Sequence, residues 1–260
     1  MLAQAAARVE IDGVSPTPDQ ILVAALDGYG HFTAMQVRNG RVRGLDLHLD
    51  RLTSAHSEMF GTSLDAETVR AYIRHGLGPD TSDASVRVYL RQPQDQPSVM
   101  VTVRPPAELP AAPWRLRTVP YQRSVAHIKH LGDFGQGYYQ RQVRRDGFDE
   151  ALLTGPNGVV CEGSITNVGF FDADGVVWPD APMLVGITMA VVDARLSGVG
   201  LASRRIPIRV ADVAGFDGAF VTNARGIAPV GEIDGVPLPV PAELMTRLTT
   251  AYACAPADLI

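Results

Sequence analysis

Residues 125–131 read Val125-Ala126-His127-Ile128-Lys129-His130-Leu131 and contain the only lysine of a 260-residue chain that otherwise uses 22 arginines. An arginine side chain stays protonated and is a poor nucleophile, whereas a buried lysine amine can lose its proton and form a Schiff base with a carbonyl compound. A strong bias towards arginine could also leave one lysine by chance. Whether Lys129 is a reactive amine or a lysine retained by chance must therefore be judged from the residues that accompany it in the sequence.

The composition limits the class of partner. The chain is 46% hydrophobic with a net charge of −5, and its basic residues are scattered. This pattern does not indicate a surface for nucleic acid or for an anionic membrane, so we expect a small-molecule partner. No apolar run approaches the roughly 20 residues that span a bilayer, and the first residues lack the pattern of a secretory signal. We therefore expect a cytoplasmic protein that is not bound to a membrane.

The cysteines and histidines give no sign of a metal site. Cys161 and Cys254 have neither pairing nor ligand spacing, and the six histidines form no cluster in the sequence. Structural and catalytic metal sites use closely spaced ligands of these types. We expect no disulfide and no bound metal.

The first half of the chain has the pattern of an α+β domain. Asn39-Gly40 is a two-residue hairpin turn between alternating segments, and Gly61 ends a run of apolar residues at helical spacing. The predicted elements are strands over residues 31–37, 42–45, 85–90 and 98–103 and helices over residues 46–60 and 64–75.

A proline-rich stretch over residues 105–113 has the composition of a linker and predicts a domain boundary near residues 105–120. We expect a smaller α+β domain over residues 1–110 and a larger α/β domain over residues 120–260 that carries Lys129. The elements predicted in the second half are helices over residues 131–145, 187–196 and 242–254 and strands over 150–154, 159–161, 167–171, 176–178 and 219–222.

Several residues could support an amine that carries a cofactor. Glu162 follows an apolar strand, and a carboxylate there can hold the proton of a ring nitrogen, although alone it would be an ordinary loop carboxylate. Gly186, Ile187 and Thr188 begin a helix, where first-turn N–H groups and the helix dipole bind an anion. The loop at Thr222-Asn223 offers further donors.

The order and spacing of these residues resemble the class IV, or fold-type IV, aminotransferases, which depend on pyridoxal 5′-phosphate. This group includes branched-chain and D-amino acid aminotransferases, R-selective amine transaminases and aminodeoxychorismate lyase. The matching stretches are His48-Leu49-Asp50-Arg51-Leu52, Ile128-Lys129-His130-Leu131, Gly147-Phe148-Asp149-Glu150-Ala151-Leu152-Leu153, Glu162-Gly163-Ser164-Ile165-Thr166-Asn167, Leu184-Val185-Gly186-Ile187-Thr188, and Thr222-Asn223 followed by Pro229-Val230.

The resemblance implies a two-domain α/β (α+β) fold with the cofactor between the domains, and a homodimer. It makes Lys129 the catalytic Schiff-base lysine, Glu162 the partner of the pyridine nitrogen and Arg51 a phosphate ligand. The phosphate cup is completed by Gly186, Ile187, Thr188, Thr222 and Asn223, with either of the last two facing the phosphate.

The implied reaction moves an amino group between an amino acid or amine and a keto acid. Three departures from the family pattern bear on the substrate rather than on the cofactor: Phe134 stands where branched-chain enzymes have a tyrosine, and Val185 and Met189 replace proline and arginine. Candidate substrate residues are Tyr89, Arg91 and Arg225, with Arg38 as a rival carboxylate anchor.

Two alternatives remain open. A lyase of the aminodeoxychorismate lyase type would use the same residues and release pyruvate. A non-catalytic relative is disfavoured, because Lys129 and Glu162 are both present.

Overall fold

The computed structural model describes residues 8–260, which form two compact units. The first unit contains the chain up to Ala107 together with Ile128–Gly132 and Pro256–Ile260. The second unit contains Glu108–His127 and Asp133–Ala255. Each unit has its own hydrophobic core.

The first unit is a four-stranded antiparallel sheet with helices packed on one face. Its elements, numbered along the whole chain, are β1 (Arg8–Ile11), α1 (Pro18–Leu26), β2 (His31–Val37), β3 (Arg41–Arg43), α2 (Leu45–Phe60), α3 (Ala66–Leu77), β4 (Ala84–Arg91), β5 (Ser98–Arg104) and β15 (Ala257–Leu259). The sheet order is β1-β5-β4-β2, and β15 pairs with β3 in a separate two-stranded sheet.

Buried and more exposed side chains alternate along β2, β4 and β5, and the buried ones form the core of the first unit. Every second side chain of β4 is buried, and these residues pack against Leu52 of α2 and Ile73 of α3. The predicted turn is confirmed, since Asn39 and Gly40 both have positive φ angles (52° and 69°), as a two-residue turn of this hand requires. The predicted pairing of the two strands is not: beyond one bridge between Arg38 and Arg41, β3 pairs with β15 and β2 with β4. Gly61 ends α2 in the left-handed conformation, as predicted.

The placement of the lysine segment differs from the sequence-based domain division. Ile128–Gly132 belongs to the first unit, although the division at residue 120 assigned Lys129 to the second. The reason is backbone pairing with β2: Phe32 N donates to Lys129 O (2.9 Å), and Leu131 N donates to Gly30 O (2.9 Å). This extended pairing also explains why the helix predicted from residue 131 begins only at Phe134.

The second unit is built on a larger mixed sheet. Its elements are β6 (Trp114–Val119), α4 (Phe134–Arg145), β7 (Glu150–Thr154), β8 (Val160–Gly163), β9 (Asn167–Asp172), β10 (Gly175–Pro179), α5 (Ile187–Asp193), β11 (Ala202–Ile206), β12 (Gly218–Asn223), β13 (Gly226–Ile233), β14 (Val236–Pro237) and α6 (Ala242–Ala253). The sheet order is β11-β10-β9-β12-β13-β6-β7-β8, with β14 paired to β13. The pairs β10–β11, β13–β6 and β6–β7 are parallel.

The region of the predicted domain boundary, residues 105–120, contains a core strand that the sequence did not predict. β6 follows the proline-rich stretch of residues 105–113, with Trp114 and Leu116 buried and Arg115 and Arg117 facing outward. The change of compact unit, at Ala107, falls within the predicted boundary region. The sequence did not predict this strand, because it follows several prolines and its alternation of apolar and polar residues covers only six positions.

Two predicted helices have different bounds for physical reasons. α3 begins at Ala66 because Asp65 accepts hydrogen bonds from Glu67 N and Thr68 N and so caps the helix. α5 ends at Asp193, and a 3₁₀ turn over Leu196–Val199 follows it. None of the helices in the described part of the chain is long and apolar enough to cross a membrane.

Candidate functional site

In the first unit, Lys129 lies over an aromatic pair. Its Nζ is 4.7 Å from the centroid of the Phe32 ring, which itself stacks on Tyr89 with centroids 5.5 Å apart. An ammonium over a ring face is attracted by the negative face of the ring. The candidate substrate residue Tyr89 is therefore near the predicted Schiff-base lysine.

His48 is a buried histidine of the first unit. It lies on α2, and its Nδ1 is 2.6 Å from Thr33 Oγ1. Burial, and then the positive charges of Arg51 and Lys129, lower the pKa of His48 to about 3. His48 is thus neutral at neutral pH.

Two more histidines form a buried polar cluster in the same unit. His31 Nε2 lies 3.4 Å from His56 Nδ1, and His56 Nε2 lies 3.2 Å from Thr62 Oγ1. Burial, and then the neighbouring His56, lower the pKa of His31 to about 3. These rings are therefore uncharged in the folded protein at neutral pH.

Two candidate substrate anchors make other contacts. Arg91 Nη2 donates to Ala24 O (3.0 Å) and its Nε to Asp27 O (3.3 Å), so its guanidinium binds carbonyls at the end of α1. Arg38 Nη1 donates to Gln36 Oε1 (3.1 Å) and to Val37 O (3.0 Å). Both contacts favour a structural use of these arginines.

In the second unit, Glu162 forms a buried ion pair that the sequence did not predict. Arg123 Nη1 lies 3.2 Å from Glu162 Oε1, and the two side chains are only 3% and 7% exposed. The second oxygen, Oε2, accepts from Leu184 N at 3.3 Å. Glu162 is thus a carboxylate of fixed orientation rather than a solvated loop residue.

Arg123 is itself held by its neighbours. Its Nη1 donates to Ala126 O (2.7 Å) and its Nε to Gln136 Oε1 (3.1 Å). The intervening Val125 has a φ of 46°, which is strained for a β-branched residue. The backbone before the lysine segment therefore adopts an unfavourable turn that directs a carbonyl at Arg123.

The start of α5 is fixed by an asparagine. Asn167 Oδ1 accepts from Gly186 N (3.0 Å), and its Nδ2 donates to Leu184 O (2.6 Å). A Cβ on Gly186 would overlap Asn167 Oδ1, so only glycine fits at this helix start. The following N–H groups, beginning with Ile187 and Thr188, have no acceptor within the helix and can face an anion.

The loop after β12 is tied to the same helix. Thr188 Oγ1 donates to Asn223 O (2.8 Å), and Asn223 Oδ1 accepts from Arg225 N (2.8 Å). Thr222 is fully buried, and its Oγ1 is a buried atom without a partner among the described residues. An unpartnered buried hydroxyl is costly, which makes Thr222 a candidate for a hydrogen bond supplied from outside the chain.

The sequence located most of these residues and missed some of their contacts. Within the first unit Lys129 lies over Phe32, which stacks on Tyr89, and within the second Glu162 accepts from Leu184 N just before the helix start. Arg123 was missed, because an arginine shortly before the lysine carries no motif of its own. Phe134, which departs from the family pattern, is 83% exposed at the start of α4.

Comparisons with known proteins bear on the family and the fold. Residues 30–233 match the family model described as "Amino-transferase class IV". A comparison with curated proteins gave no match.

Solved structures resemble the chain over almost its full length. A hypothetical aminotransferase from Mycobacterium tuberculosis in its PLP-bound form is 22% identical, with a TM-score of 0.82, and the match covers 95% of this chain and 99% of that one. Its α-ketoglutarate- and PMP-bound form is likewise 22% identical, with a TM-score of 0.81 and coverages of 95% and 98%. A branched-chain aminotransferase from Thermoproteus uzoniensis with norvaline is 21% identical, with a TM-score of 0.83 and coverages of 94% and 93%. These likenesses confirm the predicted fold class.

Proposed function

Because the chain belongs to the class IV aminotransferase family, we propose that it moves an amino group between an amino acid or amine and a keto acid, using pyridoxal 5′-phosphate. The M. tuberculosis protein was solved with PLP and with PMP and α-ketoglutarate, which supports this cofactor and this class of acceptor. When bound, the cofactor carries the amino group and delocalises the negative charge that develops on the substrate carbon.

The residues present fit this cofactor. Lys129 supplies the amine that binds it covalently, and its Nζ is the group that moves a proton to and from the substrate carbon. The oriented carboxylate of Glu162 would accept a hydrogen bond from the protonated ring nitrogen and so keep that nitrogen protonated. Arg51 and the first turn of α5 bind the phosphate, and the unpartnered hydroxyl of Thr222 supports its choice over Asn223 as the phosphate-facing residue.

One observation carries the proposal: residues 30–233 match the class IV aminotransferase family model. Within that stretch the lysine Nζ lies 4.7 Å from the centroid of the Phe32 ring, and Glu162 is a buried carboxylate paired with Arg123.

The absorbance spectrum of the purified protein tests the proposal. We expect a band in the near ultraviolet or at the visible edge that disappears with borohydride, with the reduced cofactor attached to Lys129. Lys129→Ala and Lys129→Arg should both abolish turnover with the fold intact, because neither side chain forms a Schiff base. Label on any other internal peptide, or an Arg variant with the activity of the parent, would refute the assignment.

The comparisons do not favour the lyase alternative, since the family model and the structures above are all described as aminotransferases. The two reactions differ in their products. Release of pyruvate without an amino acceptor would identify a lyase. An absolute requirement for a keto acid acceptor supports the aminotransferase.

For the substrate we propose Tyr89 and Arg225 as contacts. Tyr89 is supported by its stacking on the ring that lies under Lys129. Arg91 remains the third candidate, although its guanidinium is bound to carbonyls of α1. Arg225→Gln should raise KM for a keto acid more than it lowers kcat if Arg225 anchors the substrate carboxylate.

We also propose a homodimer in the cytoplasm. The dimer is supported by α1, which has no buried residue and exposes Ile21, Leu22, Val23 and Leu26. The location is supported by two free thiols, Cys161 and Cys254, which a reducing compartment maintains. Sedimentation of the purified protein tests the oligomeric state.

A further inference from the structure

Glu150 is a buried carboxylate that the mechanism above does not use. It begins β7 and has no exposed surface. Its Oε1 accepts from Ile165 N (2.7 Å) and Thr166 Oγ1 (3.2 Å), and it shares the proton of Ser164 Oγ (3.3 Å) with Gln140 Oε1, which lies at 2.8 Å from that hydroxyl. One carboxylate oxygen therefore contacts three consecutive residues of the turn that follows Gly163.

This turn packs closely around the carboxylate. Gly163 N donates to Thr166 O (2.8 Å) and closes the turn. A Cβ on Gly163 would lie 2.6 Å from Glu150 Oε1, and closer still to Thr166 Oγ1, so a larger residue would push the turn away from Glu150. The fit leaves the turn little freedom to shift.

The turn joins two parts of the proposed cofactor site. It begins after Glu162, the proposed partner of the ring nitrogen, and ends at Asn167. Asn167 in turn holds Gly186 N and Leu184 O at the helix start proposed for the phosphate. Glu150 thus supports a short stretch of chain that runs from the ring end of the proposed site to the phosphate end.

The carboxyl of Glu150 is costly to bury. Burial raises the pKa of Glu150 to about 7, against the lowering effect of its hydrogen bonds and of the Arg225 charge. Its Oε2 is buried without a partner among the described residues. An apolar side chain of similar size would avoid this cost but would leave the donors of the turn without their acceptor, so the carboxyl serves the turn.

We propose that Glu150 is a positioning residue that holds Glu162 and the start of α5 in a fixed relation, so that one cofactor can be bound at its ring and its phosphate together. This inference rests on the function proposed above. Glu150 acts through the turn of residues 163–166 and touches neither end of the cofactor itself.

Binding of two fragments to the apo-protein tests the inference. Pyridoxal reports the amine and ring end, and inorganic phosphate reports the helix start. In Glu150→Leu, which removes the acceptor, we expect both dissociation constants to rise about tenfold or more, because three hydrogen bonds that orient the turn are lost. Glu150→Gln keeps an acceptor oxygen and should bind both fragments within about threefold of the parent.

Thr154→Val is the matched control, because it removes one buried hydroxyl hydrogen bond, to Val119 O, from the same strand without touching the turn. It should leave both constants within about twofold of the parent. If Glu150→Leu does not fold, Thr166→Val removes a donor from the other side of the same contact and should weaken both fragments in parallel.

The outcomes are distinct. A folded Glu150→Leu protein that binds both fragments like the parent, or that loses only one of them, overturns the positioning role. If only Thr166→Val folds, unchanged binding of both fragments in that variant also overturns the positioning role. A parent protein that binds no pyridoxal phosphate overturns the proposed function instead.

Discussion

The ion pair of Arg123 and Glu162 shows how single residues set the chemistry of the second unit. Two charges out of water are costly, and the pair is retained only because each charge and its hydrogen bonds are satisfied by the other and by the backbone. A carboxylate that must hold a pyridinium proton has to stay ionised and oriented in a dry site. Arg123 meets both requirements.

At this scale we predict strong coupling within the pair. Arg123→Met leaves a buried carboxylate without this cation and should lower the free energy of unfolding by about 3 kcal/mol. The double variant Arg123→Met/Glu162→Gln should recover most of that loss, because no charge remains unpaired. Urea unfolding of the four proteins measures the coupling.

The exposed pair on α6 gives the control. Arg247 Nη2 lies 2.6 Å from Glu243 Oε1, with side chains 42% and 77% exposed. Arg247→Met should change stability by no more than about 0.5 kcal/mol, because water already screens this pair. Additive losses at Arg123 and Glu162 would contradict the prediction.

At the scale of the elements, the start of α5 depends on the absence of a side chain. We predict that Gly186→Ala weakens binding of inorganic phosphate by about tenfold, because the new Cβ would overlap Asn167 Oδ1 and displace the helix start. Calorimetric titration of phosphate into the apo-protein measures the effect.

Gly198→Ala serves as the comparison, since a Cβ there has no heavy atom within 4 Å. This variant lies in the 3₁₀ turn after α5 and should bind phosphate like the parent. Equal affinity in Gly186→Ala and Gly198→Ala would mean that phosphate does not use this helix start.

The elements also show what a sequence can and cannot predict. The Asn39-Gly40 turn and the Gly61 helix end were predicted correctly, because each needs a positive φ that few other residues adopt. β6 was missed because its alternation is short and follows prolines. The Arg123–Glu162 contact was missed for a different reason: it joins residues far apart in the sequence, and neither residue type requires the other.

For the whole molecule, buried groups with shifted pKa values predict how stability depends on pH. Between pH 4.5 and 6.5 the unfolded chain protonates His31 and His48, whereas the folded protein does not until about pH 3. Each histidine therefore makes stability rise with pH. Glu150 acts in the opposite direction, because its folded pKa of about 7 lies above the ordinary 4.5 and its contribution is lost as pH rises.

These three groups together should raise the free energy of unfolding by about 1.4 kcal/mol per pH unit in this range, since two histidines outweigh one carboxyl. His31→Gln removes one histidine and should lower the measured slope by about that amount. Urea unfolding at several pH values within the window gives both slopes. Parallel slopes for parent and variant would mean that His31 is protonated in the folded protein.

The position of Lys129 above the Phe32 ring has a spectroscopic consequence. Isotope-labelled lysine enters this chain at one position, so the labelled protein should give a single set of lysine side-chain resonances in a nuclear magnetic resonance spectrum. The ring current of Phe32 should move the protons next to Nζ upfield, and Phe32→Leu should return them to the position seen in free lysine. Adding a carbonyl compound then reports, on one signal and without a chromophore, whether the amine has reacted.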